Sequence, residues 1–99
     1  MSVVLDVQAE LWQHDGPGGW HFVTLPEQAA ARIEHECAGA RRGFGSVRVE
    51  ATVGATTWRT SVFPDKASGS YLLPVKAQVR RQEDLLPGDV VDLRLRLDP

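Results

Sequence analysis

The sequence predicts a mainly β fold: a small, closed, six-stranded antiparallel β-barrel with one α-helix between strands 2 and 3. Three observations carry this prediction. Apolar residues recur at every second position in several stretches, most plainly Val3-Leu5-Val7-Ala9-Leu11, Val47-Val49-Ala51-Val53 and Val91-Leu93-Leu95-Leu97. A period of two marks a strand with one buried face. Short segments rich in glycine, proline, aspartate or serine separate the stretches, as expected for antiparallel neighbours. Only the stretch after Leu25 has convincing helical spacing. Strands that are each greasy on one side bury those sides together, and closing the sheet removes its exposed edges.

In order, residues 3–11 form the first strand, with Asp6, Gln8 and Glu10 on its polar face. Val4 and Trp12 interrupt that face, so part of it is expected to be covered. His14-Asp15-Gly16-Pro17-Gly18-Gly19 is a turn, and residues 20–24 return as the second strand of a hairpin. Pro26 suits the first position of a helix, where its missing N–H costs nothing, and Glu27 suits the positive end of the helix dipole. Pro26, Ala29, Ala30, Ile33 and Cys37 fall on one stripe of small residues. That helix is expected to lie close against the sheet or to plug a barrel end, and Gly39 to terminate it. Residues 40–45 form a basic, glycine-rich connection, and residues 46–53 a third strand.

The fourth and fifth strands are read as one long hairpin over residues 54–80. Its first arm is G-A-T-T-W-R-T-S-V-F-P, its loop D-K-A-S-G-S, and its second arm Y-L-L-P-V-K-A-Q-V-R. In the preferred register Trp58, Thr60 and Val62 share the core face with Tyr71, Leu73, Val75, Ala77 and Val79. A one-residue slip would drive Arg59 and Ser61 inward as unpaired buried groups, which costs several kcal/mol. Pro74 is a candidate for a bulge. Residues 81–84 are a turn or a single helical turn. Pro87-Gly88 suits a type II turn before the last strand, whose Asp92, Arg94 and Arg96 face outward.

Ninety-nine residues favour one domain, 1–99, with a modest core. With 42% apolar and 24% charged residues, the composition is that of an ordinary globular chain. A formal net charge of −2 supplies no global field toward nucleic acid or anionic lipid. Arg41-Arg42 beside Phe44 is too short a basic run to outweigh that. Cys37 is the only cysteine, so an internal disulfide is ruled out. The opening M-S-V-V-L-D-V has neither the basic segment nor the long apolar run of a signal peptide, and no stretch approaches the ~20 apolar residues of a membrane span. A reducing, bacterial-type cytoplasm is the expected setting, and a monomer or homodimer the expected state.

Several motifs are spread along nearly the whole chain: Trp20-x-Phe22-x-x-Leu25-Pro26, Gly43-x-Gly45-Ser46-Val47-x-Val49, and Gly54 with Trp58, Ser61, Phe63 and Pro64. They continue through Tyr71-Leu72-x-Pro74-Val75-Lys76-x-x-Val79-Arg80 and Gly88-Asp89-x-Val91. In this order and spacing they resemble a family of small, mostly bacterial and archaeal β-barrel domains, domain of unknown function nineteen-oh-five. The resemblance implies a small closed barrel with one helix and no established activity. Some members carry a further segment of the bacteriocin-protection type, which is not expected in a chain ending at Pro99.

For chemistry, the preferred register gathers Arg59, Ser61, Lys76 and Arg80 on one outward face, with Trp58 and Tyr71 nearby and Arg48 joining from the next strand. Arginine and lysine there would donate to phosphate or carboxylate. The plainer alternative is a solvated polar face paired with Glu50 and other acids. Trp12, Trp20 and Trp58 line a pocket at a barrel mouth, or else pack as core and rim. An enzyme would use Lys76 or Tyr71 as general acid or base with Ser61. Ser61 lacks a G-x-S-x-G elbow and an evident His–Asp pair, which argues against a hydrolase. His35 and Cys37 point in different directions on a helix, His14 and His21 lie in or after a turn, and Cys37 reads as a small buried hydrophobe. No metal, cofactor or dinucleotide motif is implied. The leading expectation is a binding module for a small anion or a protein partner. A structural or oligomerisation domain comes next, and an enzyme last.

Overall fold

A computed structural model describes residues 3–37 and 45–97. Its strands are β1 (Val3–Gln13), β2 (His21–Thr24), β3 (Val47–Val53), β4 (Thr56–Asp65), β5 (Ser70–Pro74) and β6 (Val90–Leu97). Two helices join them, α1 (Glu27–Glu36) between β2 and β3, and α2 (Ala77–Gln82) between β5 and β6. The strands close into a barrel in the order β1-β2-β5-β4-β3-β6, and every pairing is antiparallel.

The alternation read from the sequence sets the register. Leu5 faces Leu95, Val7 faces Leu93 and Ala9 faces Val91 across β1 and β6, and Ala51 faces both Leu95 and Trp58. These pairs point inward, and most of their members are buried. Fully burying one such Val or Leu is worth roughly 1.5–3 kcal/mol. The intervening residues pair on the outer wall as Asp6–Arg94, Glu50–Arg96 and Arg48–Ser61. The 11-residue β1 serves two neighbours, β6 along residues 3–10 and β2 along residues 11–13.

The helix α1 buries Ala29, Ala30 and Ile33, with Cys37 just past its end. This is the small-residue stripe of the sequence, and it packs against β1 and β5. Pro26 caps α1 rather than opening it, and its carbonyl accepts from Ala30 N–H at 3.0 Å. Gly39 and the connection over residues 40–44 lie outside the described residues. Pro87-Gly88 makes the expected turn: Asp89 N–H donates to Leu86 O at 3.0 Å, with Gly88 at φ +98° as a type II turn requires.

One expectation is corrected. The second arm of the long hairpin is a strand only as far as Pro74, and residues 77–82 are helical. The run Val75-Ala77-Val79 looks alternating, yet Ala77 is exposed while Val75 and Val79 are buried. The real spacing is four, one helical turn. Pro74 cannot donate to a sheet ladder, and Ala-Gln-Val-Arg-Arg-Gln consists largely of good helix formers. Lys76 caps α2 in an extended conformation, its carbonyl accepting from Arg80 N–H at 3.1 Å. Asp84, at φ +56°, lies just beyond its end. The fold thus carries a second, short helix, which covers the mouth where β4 begins and β5 ends.

Candidate functional site

The mouth is assembled from three pieces of chain. Trp58 enters from β4 with its side chain inward and is 9% exposed. Arg59, the next residue, points outward by strand alternation. From the opposite wall come Val75 and Lys76, just after β5, and Arg80 from α2. Gly18, Gly19, Trp20 and His21 close the third side. Together they line a concavity of about 400 Å³.

Glu83, at the end of α2, ties the helix down, for Thr56 Oγ1 donates to its carboxylate at 2.7 Å. Arg80 is held by two acceptors: its Nε donates to Val75 O at 3.1 Å, and its Nη1 lies 3.4 Å from His21 Nε2. The His21 ring is itself fixed, because Nδ1 stands 2.7 Å from Gly19 O. A carbonyl only accepts, so Nδ1 carries the proton and Nε2 is left as an acceptor for the guanidinium. His21 is one of two buried polar or charged residues in the described protein. In the sequence it stands only as a histidine in or after a turn. The missing signal is that Val75 N–H donates to His21 O at 2.9 Å, a pairing of β2 with β5 that brings His21 under α2.

The charges here are not cancelled. Glu50, opposite Arg59 in the sheet register, accepts from Arg96 Nη2 at 3.0 Å. Arg48, Arg59 and Lys76 have no ion pair among the described residues. Arg80 is held by the Val75 carbonyl and the His21 ring, with no carboxylate partner among the described residues. The concavity is therefore rimmed by cations with donors to spare.

Beside it runs a second groove of about 640 Å³ on the outer wall, lined by Arg48, Arg59, Ser61, Phe63 and Pro74 among others. Trp20 and Arg59 border both hollows. Trp20 is 56% exposed and stacks on Phe22, with centroids 6.0 Å apart and planes 7° apart. Trp12 also packs against Phe22, with centroids 5.2 Å apart and planes tilted by 40°, and donates to Thr24 Oγ1 at 2.9 Å. So Trp58 packs at the mouth, Trp20 forms its rim and Trp12 lies apart on the outer wall.

The structure brings Trp58, Arg59, Lys76 and Arg80 together, and sets Ser61 in the adjoining groove. Lys76 and Arg80 reach the mouth from α2 and its cap, not from the outer face of a strand. Tyr71 is elsewhere. It pairs with Pro64, six residues along β4 from Trp58, or about 20 Å at the usual strand rise. Its hydroxyl donates to Glu34 Oε1 of α1 at 2.8 Å. Lys76, Ser61 and Tyr71 therefore do not share one pocket.

A larger, shallower depression of about 870 Å³ follows β1, β6 and the start of α1. Its charged groups each have a partner: Arg94 Nε donates to Asp6 at 2.9 Å, Gln8 donates to Asp92, and Arg32 pairs with Glu36. Hydrogen bonding to Arg94 holds the Asp6 carboxyl below its ordinary range. Cys37 is inert by the same physics reversed, since burial and then the Glu36 charge push its thiol up. Among the described residues no trio of His, Cys, Asp or Glu is placed to hold a metal, and no helix is long and apolar enough to cross a membrane.

A search of curated proteins finds no match. Comparison with known families matches residues 8–95, nearly the whole span from β1 to β6, to one described as "Domain of unknown function (DUF1905)". The chain belongs to that family.

Proposed function

We propose that this domain is a binding module whose mouth, between β4 and α2, receives a small anionic ligand or the anionic end of a protein partner. One observation carries the reading: Arg59, Lys76 and Arg80 converge on a concavity of about 400 Å³ without a carboxylate among the described residues to neutralise them. Each guanidinium or ammonium there offers charge-assisted donors to phosphate or carboxylate oxygens. Trp58 supplies an apolar wall, and the His21–Arg80 contact fixes one donor in advance, so less side-chain entropy is lost on binding.

The test is a thermal-shift series with inorganic phosphate, short mono- and dicarboxylates and nucleotides. An anion at ten times its Kd stabilises the native state by about 1.4 kcal/mol, several degrees for a domain of this size. Lys76→Ala and Arg59→Ala should fold normally and abolish the shift. If no anion raises the melting temperature of the unaltered protein at millimolar concentration, the reading fails.

A further inference from the structure

The barrel is closed, but one seam in it is short. β4 pairs with β5 only at Phe63–Leu72, Pro64–Tyr71 and Asp65–Ser70. Residues 56–62 of β4 pair with β3 on their other side. Which backbone groups face the seam follows from alternation. Gly69 N–H donates to Asp65 O at 2.9 Å, so Asp65, Phe63, Ser61 and Arg59 direct their N–H and C=O groups toward β5. The opposite hairpin agrees. Its two-residue turn, Gly54-Ala55, joins Val53 to Thr56, which makes the even-numbered residues those that bond β3.

On β5, Tyr71 O accepts from Leu25 N–H and Val75 N–H donates to His21 O, so its odd-numbered residues face β2. Leu72 and Pro74 therefore face β4. After Phe63–Leu72 the next pair whose backbone groups face one another is Ser61 with Pro74; the Pro74 carbonyl is able to accept from Ser61 N–H, but proline has no N–H to give the Ser61 carbonyl. Beyond it Arg59 stands opposite Lys76, whose carbonyl is already taken by Arg80 N–H in α2. β4 thus leaves the Ser61 carbonyl and the N–H and C=O of Arg59 without a backbone partner on the β5 side among the described residues, beside Pro74 and the outer groove.

Open strand edges recruit extended chains, which complete the ladder. We infer that the seam receives the last residues of an extended partner peptide, antiparallel to β4, with its terminal carboxylate at Lys76, Arg80 and Arg59. The direction follows from the wedge. The Phe63–Leu72 pairing closes its far end, and α2 blocks the mouth end, so an occupant entering over Trp20 and Phe63 must stop at α2. The charges at the stopping point are cationic, which selects a carboxylate over an ammonium terminus. The exposed Trp20 and Phe63, 56% and 44% accessible, flank the entry and offer apolar contact to the preceding side chains. This inference rests on the anion reading above and adds the backbone pairing to it.

The experiment uses the whole chain and a pool of fluorescein-labelled random hexapeptides. The pool is made with free C-termini, as C-terminal amides, and as free acids N-methylated at every second residue in each of the two frames. Successive residues of a paired strand face opposite ways, so one methylated frame should abolish binding while the other binds as well as the parent. The amide pool should bind at least about tenfold more weakly, the loss expected when a charged group is left unpartnered. Amide exchange in the free protein supplies a check without ligand. Arg59 N–H should exchange on the order of a hundredfold faster than those of Trp58 and Thr60, which bond β3. Slow exchange at Arg59, or equal binding of both methylated frames, overturns the strand pairing. Phosphate stabilisation without peptide binding overturns it too, and leaves the anion site standing. Loss of both responses overturns both readings.

Discussion

Gly54 offers the sharpest test of how α2 is held over the mouth. It opens the β3–β4 turn at φ +57°, a conformation that costs an L-residue about 1–2 kcal/mol. A Cβ there would also run into the Glu83 carboxylate, which must swing away and release the 2.7 Å hydrogen bond from Thr56. That bond is half-buried and adds about 1 kcal/mol. Gly54→Ala should therefore destabilise the domain by about 2–3 kcal/mol, lowering Tm by about 10–20 °C. Gly69→Ala is the control. Gly69 also has a positive φ, +72°, but a Cβ there meets nothing within 4 Å, so only the backbone strain of about 1–2 kcal/mol remains. Calorimetric or denaturant unfolding of both variants, of Glu83→Ala and of the Gly54→Ala/Glu83→Ala pair completes a cycle. The double variant should be more stable than the sum of the singles predicts, because the collision is gone. Equal losses at Gly54 and Gly69, or a strictly additive cycle, would refute the proposed contact between the turn and α2.

Three further outcomes are expected. Trp58→Ala empties the wall of the mouth and should cost on the order of 3–5 kcal/mol in denaturant unfolding, whereas Trp58→Phe should cost clearly less. Lys76→Ala should leave Tm within about a degree or two, since the side chain is exposed and unpaired, so a binding loss in that variant reports on the ligand and not on folding. The Asp6–Arg94 pair gives a small pH effect of definite sign. The Asp6 carboxyl titrates lower folded than unfolded, so its contribution is present above the ordinary aspartate range, about 3.9, and disappears as pH falls through the folded value. An NMR titration should place Asp6 below that range, and Arg94→Ala should return it there.

The β3 and β6 alternations told from sequence alone which side chains face inward, because a strand's period of two leaves no other way to bury Val, Ala and Leu together. The stripe Ala29-Ala30-Ile33-Cys37 did the same for α1. The residues 75–80 misled, because six residues cannot separate a period of two from one turn of helix, and the missing hydrogen of Pro74 decided the matter. Of the six residues singled out as a site, Trp58, Arg59, Lys76 and Arg80 converge for a reason other than the one anticipated. They meet because α2 folds over the barrel mouth, not because one sheet face gathers them.

Local chemistry, then, determined the inward stripes, the turn at Pro87-Gly88, and the stock of cations. Tertiary structure alone decided that His21 lies beneath Arg80, that Tyr71 serves the far end with Glu34, and that the β4–β5 pairing ends at Phe63–Leu72. Those facts depend on which strands become neighbours when the sheet closes, and pairing between distant segments leaves no mark in the spacing of either one.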